Sequence, residues 1–247
     1  MIRIIFTSLK LKLGRFLLTL KGILNLSLGS NSFLEIPFNI RGKGKIIIAE
    51  NVKVLKNAFL FVDGKLSIGK SSILEENCMI KISKDASISM GIGSTIGKNS
   101  RVKADIGNWE IGNNVNISPD AMIFSRESGY YGCLTVGNNT NFSDGVVLDL
   151  SQDINIGNNV ALGHGVTIFT HNHEYTDPEK AAWKGGVISK AVNIKDDCWI
   201  GANVTIMPGV TIGKRAIVAT GAVVTKDISD NQMFAGVPAK CIKDKVI

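Results

Sequence analysis

The chain predicts an all-β fold, a parallel β-helix, and three observations carry the prediction. Ile194, Ile200, Ile206, Ile212, Val218 and Val224 recur at a strict interval of six. An amphipathic helix spaces its apolar residues by three and four and a half-buried strand by two, so six fits neither as one long element. It fits short strands joined by tight corners, with one aliphatic side chain per side pointing into the axis of a prism. Three sides then close a coil of eighteen residues. Val204, Val210, Ala216 and Ala222 form a second series four residues behind the first, with glycine at Gly201 and Gly213. Small residues suit corners, where φ turns positive or a Cβ would crowd the next coil. Finally, an aliphatic-Gly-polar-Asn tetrad ends at Asn99, Asn114, Asn139 and Asn159. Asparagine tolerates left-handed backbone and bonds locally, which places it at corners.

The composition agrees with this. The 247 residues are 45% hydrophobic and only 6% aromatic, so the core is built from Ile, Val and Leu, and one elongated domain accounts for the length. Cys78, Cys133, Cys198 and Cys241 form no CxxC pair and no cleavable signal sequence is evident, which points to a reducing, cytoplasmic compartment. The net charge of +7 favours polyanionic ligands or an acidic membrane surface. No helix-turn-helix, RNP-like or zinc-finger pattern speaks for nucleic acid.

Residues 1–24 stand apart from the repeat. Ile2, Ile5, Phe6, Leu9, Leu13, Phe16, Leu17, Leu20 and Leu24 follow helical spacing, while Lys10, Lys12, Arg15 and Lys21 interrupt any bilayer-spanning run. This predicts a basic amphipathic helix, followed by a linker to residue 44. The helix either caps the open end of the β-helix or attaches to an acidic membrane surface as a peripheral contact.

The repeat occupies 45–234, in about eight or nine coils stacked about 4.8 Å apart, and leaves a C-terminal tail over 235–247. Ile68, Leu74 and Ile80 make one set of three, and Ile82 and Ile88 are out of phase with it. Later sets are Ile111, Ile117 and Ile123, then Val136, Phe142 and Leu148, then Ile156, Leu162 and Ile168. A coil cannot absorb extra residues and must extrude them. The interval from Ile123 to Val136 is thirteen, so Ser125 to Gly132 should bulge outward; that from Ile168 to Ile194 is twenty-six, which predicts an extruded loop over about 169–193. The longer loop holds His171 and His173, two of the three histidines in the chain, and a structureless insert of this size in a repeat fold is usually functional.

Three further segments carry a resemblance: Cys198-Trp-Ile-Gly-Ala-Asn-Val-Thr-Ile-Met-Pro-Gly-Val-Thr-Ile-Gly213, Thr220-Gly-Ala-Val-Val-Thr-Lys-Asp227 and Ala235-Gly-Val-Pro-Ala-Lys240. With the repeats they resemble the hexapeptide-repeat acyltransferases, most nearly the maltose, galactoside and nodulation acetyltransferases and those of surface-polysaccharide synthesis. The resemblance covers about residues 45–243. It implies a left-handed coil, a homotrimer with active sites between subunits, acetyl-CoA as acyl donor and transfer of acetyl to a hydroxyl of a sugar or polysaccharide intermediate. The catalytic histidine of the family falls on His173, with His171 as second choice. A sugar hydroxyl becomes a nucleophile when imidazole accepts its proton, and it would then attack the thioester directly. The oxyanion would be met by a backbone N–H of the Trp199 to Ala202 segment.

The resemblance also places the pantetheine arm along Trp199, Ala202, Thr220, Thr225 and Lys226, and the nucleotide phosphates near Lys240 and Lys243. Lysine keeps the charge there but lacks the bidentate fork of arginine. Where many relatives carry an acceptor-positioning asparagine this chain has Ser143, with Asn141 and Asp144 beside it, so the acceptor stays open. An N-acetyltransferase acting on an amino sugar is a near alternative. The H-x-H pair also fits a metal, as in the gamma-class carbonic anhydrases, but His164 is the remaining histidine and no carboxylate or cysteine cluster in the sequence completes a set. No metal is expected.

Overall fold

Short strands and tight corners alternate through residues 25–246, which the computed structural model describes. The predicted amphipathic helix over 1–24 lies outside the described residues. Among the described residues successive strands are dealt in turn to three faces, which carry nine, eleven and nine strands, and every coil-to-coil pairing is parallel except at the C-terminal end. Ile194 pairs with Ile212 on the first face, Ile200 with Val218 on the second and Ile206 with Val224 on the third, each eighteen residues apart.

Eighteen holds only in these last coils. On the first face Ile46 pairs with Leu66 twenty residues on, Leu66 with Ile88 twenty-two on, and Ile88 with Trp109 twenty-one on. First-face and third-face strands between Lys45 and Ile111 run to four or five residues, so each buries two or three inward side chains. The out-of-phase Ile82 and Ile88 are among these extra inward residues and are 0% and 1% exposed. The phase slip in the sequence is a longer edge of the triangle, and the aliphatic core runs unbroken from Ile40 to Ile228. Each fully buried Val, Ile or Leu contributes about 1.5–3 kcal/mol relative to exposure, so the stack holds the column.

The corners explain the second and third sequence series. Asn99, Asn114, Asn139 and Asn159 all adopt positive φ, between 53° and 60°. They belong to two ladders. Asn57, Asn77, Asn99 and Asp120 climb the corner between the second and third faces, with amide-to-oxygen distances of 3.0, 3.2 and 3.0 Å. Asn114, Asn139, Asn159 and Asp197 climb the corner between the first and second, at 3.1, 3.4 and 3.0 Å. Gly201 and Gly213 do not have positive φ; they are glycine because a Cβ would stand 2.6 Å from Thr220 N and 2.5 Å from Asp230 N of the next coil.

Two boundaries differ from the sequence reading. The coils begin with Leu26–Leu28 rather than at residue 45; this first turn is only partly buried, so its repeat is faint. The tail folds back as Lys240–Lys243, antiparallel to Met233–Ala235 at the end of the second face. Both extrusions leave the corner between the third and first faces. The longer is a two-stranded antiparallel ribbon of His171–His173 and Val187–Ser189 with a single 3-10 turn at Ala182–Lys184, so it is not structureless. Among the described residues no helix is long and apolar enough to cross a membrane.

Candidate active site at the corner between the third and first faces

Three consecutive coils deliver the site. Third-face strands end at Phe124, Asp149 and Ile168, and the chain then turns the corner through 125–133, 150–153 and 169–191. Phe124 and Asp149 are register partners, so the two excursions are stacked with Asp149 between them. The upper excursion is tied by Ser125, whose Oγ accepts the Glu127 N–H at 3.3 Å and donates to the Tyr130 carbonyl at 2.5 Å. The lower leaves the coil where the Lys190 N–H meets the Thr170 carbonyl at 2.8 Å. Residues two apart on a strand share a side, and the His171 and His173 rings stand edge to face, centroids 5.6 Å apart.

Each imidazole is held at Nδ1. His171 Nδ1 lies 2.5 Å from Asp149 Oδ2, and His173 Nδ1 lies 3.4 Å from the Gly185 carbonyl. An N–H at Nδ1 leaves Nε2 with the lone pair in both rings. Gly185 must be glycine to approach so closely, because a Cβ there would fall 1.6 Å from the Glu174 carbonyl oxygen. His173 Nε2 faces Glu127 Oε2 at 4.0 Å, with its side chain 31% exposed, whereas that of His171 is 13% exposed.

Asp149 is fully buried and charged, which needs compensation. Its Oδ1 accepts the Ser151 hydroxyl (2.7 Å), the Ser151 N–H (3.2 Å) and the Arg126 N–H (3.1 Å), and its Oδ2 also accepts the Thr170 N–H (3.3 Å). Burial alone would raise its pKa. Hydrogen bonds from Ser151, His171 and Arg126 outweigh burial and hold the carboxyl below its ordinary value.

The remaining site residues named from the sequence divide into two groups. Thr225 and Lys226 follow the third-face strand Val223–Val224, so they lie on the same edge as the histidines. Asn141 and Trp199 lie on the second face, Trp199 60% exposed. Ser143, Asp144, Ala202 and Thr220 follow them on the corner between the second and third faces, where the Gly221 N–H bonds the Ala202 carbonyl at 2.8 Å. Lys240 and Lys243 are exposed on the C-terminal strand of the second face. In one chain the second face lies across the prism from the histidines, so the structure does not bring these two groups together. Of the amides named for the oxyanion, those of Trp199 and Gly201 are committed to the coil at 3.0 and 2.7 Å, and Ile200 is inside the ladder, which leaves Ala202. A groove of about 420 Å³ on the first face, lined by Asn155, Asn193, Lys195, Asp196, Lys214 and Asp230, holds none of the named residues.

Sequence reasoning missed Glu127 and Asp149. Glu127 lay inside a predicted bulge, but nothing in its neighbours marks it, and Asp149 reads as an ordinary residue following Leu148. The one usable signal was a coil register extended across the bulge, which pairs Phe124 with Asp149.

Comparison with known proteins agrees with the fold and the repeat. Residues 191–226 match the family described as bacterial transferase hexapeptide (six repeats). The galactoside O-acetyltransferase of Lactococcus lactis is 36% identical over 138 residues, 56% of this chain and 63% of that protein. The putative lipopolysaccharide biosynthesis O-acetyl transferase WbbJ of Escherichia coli is 33% identical over 119 residues, 45% of this chain and 61% of that protein. The chain thus spans less than two thirds of either relative. Among solved structures, the UDP-N-acetylglucosamine acyltransferase of Arabidopsis superposes with a TM-score of 0.62 at 17% identity, over 89% of this chain and 70% of that one, a likeness of fold. The six-residue core, the stacked corners and these matches together make the chain similar to the hexapeptide-repeat acyltransferases.

Proposed function

We propose that the chain is an acetyl-CoA-dependent O-acetyltransferase whose acceptor is a hydroxyl of a sugar or of a surface-polysaccharide intermediate. The observation that carries this reading is the pair of imidazoles on the extruded ribbon, each held through Nδ1, which leaves the lone pair on Nε2 in both rings. The relatives named for galactoside and lipopolysaccharide acetylation support the sugar acceptor.

His173 is the base, because it is the more exposed of the two and its Nδ1–H points into a carbonyl. The acceptor hydroxyl gives its proton to His173 Nε2 as its oxygen attacks the thioester carbonyl. The tetrahedral oxyanion is met by the Ala202 N–H of a neighbouring chain. Collapse breaks the carbon–sulfur bond, and the leaving thiolate takes the proton back from the imidazolium. No acyl-enzyme is formed. His171, clamped by Asp149, orients the ribbon strand on which His173 stands.

The division of the named residues between opposite sides of the prism supports a homotrimer. Seating the His171 and His173 edge of one chain against the second face of the next would put Trp199, Ala202 and Thr220 opposite Thr225 and Lys226, with the acyl donor between. All four cysteines are free, which supports a reducing, cytoplasmic setting; residues 1–24 would carry the enzyme to a lipid-linked acceptor.

Thiol release from acetyl-CoA across a panel of sugars and amino sugars tests the reading. His173→Ala is expected to lower kcat by about 10²–10⁴-fold, with thiol release tracking sugar hydroxyls. Full activity in His173→Ala would remove the base, and thiol release only with amino sugars would replace O-transfer by N-transfer.

A further inference from the structure

We propose that Glu127, His171 and His173 also form a binding site for a divalent cation of the zinc type, and that a cation seated there takes both imidazoles out of proton transfer. The inhibitory consequence rests on the acetyl-transfer reading; the binding does not.

One ligating atom from each of the three residues lies within 4.8 Å of the other two. The pairing at the Nδ1 atoms points to metal chemistry. Imidazoles that ligate through one nitrogen almost always give the other N–H to a carboxylate or a backbone carbonyl, which fixes tautomer and ring orientation. His171 has the first kind of partner in Asp149 at 2.5 Å, and His173 the second in the Gly185 carbonyl at 3.4 Å. Asp149 is in turn held by Ser151, Arg126 and Thr170, so the His171 ring cannot swing away. Two preset Nε2 lone pairs and one anionic carboxylate remain at the corner.

The fit needs a small closure. Ligand atoms around a tetrahedral zinc ion at about 2.0–2.2 Å stand about 3.3 Å apart, while His173 Nε2 and Glu127 Oε2 are 4.0 Å apart. Glu127 can cover the difference by rotating about its side-chain torsions on the excursion from the upper coil. Two imidazoles and one carboxylate suit Zn²⁺, Co²⁺ or Ni²⁺ better than Mg²⁺ or Ca²⁺, which take oxygen ligands. Three protein ligands leave a fourth position open toward solvent, so the cation exchanges. The sequence shows the H-x-H half of this set; Glu127 reaches it only because the 125–132 excursion is stacked over the ribbon.

The full-length protein without histidine tag, stripped with chelator, is titrated with Co²⁺ alone while tetrahedral visible absorption is recorded, and with Zn²⁺ alone by calorimetry. One equivalent per chain is expected, weakened at least tenfold in Glu127→Gln and in His171→Ala; Glu127 lies on a surface excursion, so its variant keeps the fold, checked by circular dichroism. Thiol release from acetyl-CoA should fall in proportion to zinc bound and return on chelation. Absence of saturable binding, or equal binding in both variants, overturns the site while leaving acetyl transfer untouched. Binding with undiminished thiol release overturns the inhibition and the histidine base together. Loss of activity on chelation, restored by zinc, does the same, by making the cation a participant.

Discussion

Replacing Asp149 by asparagine keeps the shape of the side chain and removes its charge inside a fully buried shell. Oδ1 serves three donors, from Ser151 (two) and Arg126, so the amide oxygen of the variant takes that place. Its NH₂ then faces the Thr170 N–H and His171 Nδ1. His171 can answer by changing tautomer, but the backbone N–H of fully buried Thr170 is orphaned, which costs about 1–3 kcal/mol. The surviving bonds lose charge assistance, about 1 kcal/mol each, and relief from burying a charge returns part of this. The net expectation is a loss of about 2–4 kcal/mol, or a melting temperature lower by about 5–15 °C for a chain of this size, followed by circular dichroism at pH 7. The native pKa of Asp149 is depressed, so its contribution is present above the unfolded carboxylate value and is lost as pH falls toward the native one. The gap between wild type and variant should therefore close below about pH 4. A melting temperature within about 2 °C of wild type at pH 7 would refute the account of the carboxylate as the anchor of this corner.

Phe142 fills the axis at 0% exposure, and Phe142→Ala should cost about 3–5 kcal/mol in chemical denaturation. Gly213→Ala forces a Cβ to 2.5 Å from Asp230 N and should cost about 1–3 kcal/mol, whereas Gly186→Ala meets nothing within 4 Å and should stay within about 0.5 kcal/mol of wild type; equal melting of the two would deny that the coil spacing selects Gly213. Burial pushes the Cys78 thiol up to about 12 and that of Cys198 to about 11, while Cys241 is exposed. A thiol reagent at pH 8 should modify Cys241 in the native protein and reach Cys78 and Cys198 only after unfolding, as mass spectrometry of the labelled peptides would show.

The repeat was legible in the sequence because a prism repeats one physical demand, an inward aliphatic at each side and a residue tolerant of left-handed backbone at corners. Ile194 to Val224 and the asparagines at 114, 139 and 159 state it directly, and the extruded lengths told where the coil had to open. The coil length misread for the N-terminal half has the same origin: Ile82 and Ile88 break a six-residue count yet obey the deeper rule of pointing inward, and nothing local says that the edge of the triangle has lengthened.

Which side chains meet across coils was decided only by the tertiary structure. His171 and His173 advertise themselves through residue type and spacing, but Asp149 and Glu127 become their partners through coil stacking, which joins residues 22 and 46 positions apart in the chain. Trp199 and Thr220 were grouped with the histidines by resemblance, yet the triangle holds them on another side. One-dimensional periodicity specifies the orientation of each residue relative to the axis, in or out; the corner at which the chain leaves the column, and what it then folds against, depends on summed loop lengths and on contacts that form only once the coils are stacked.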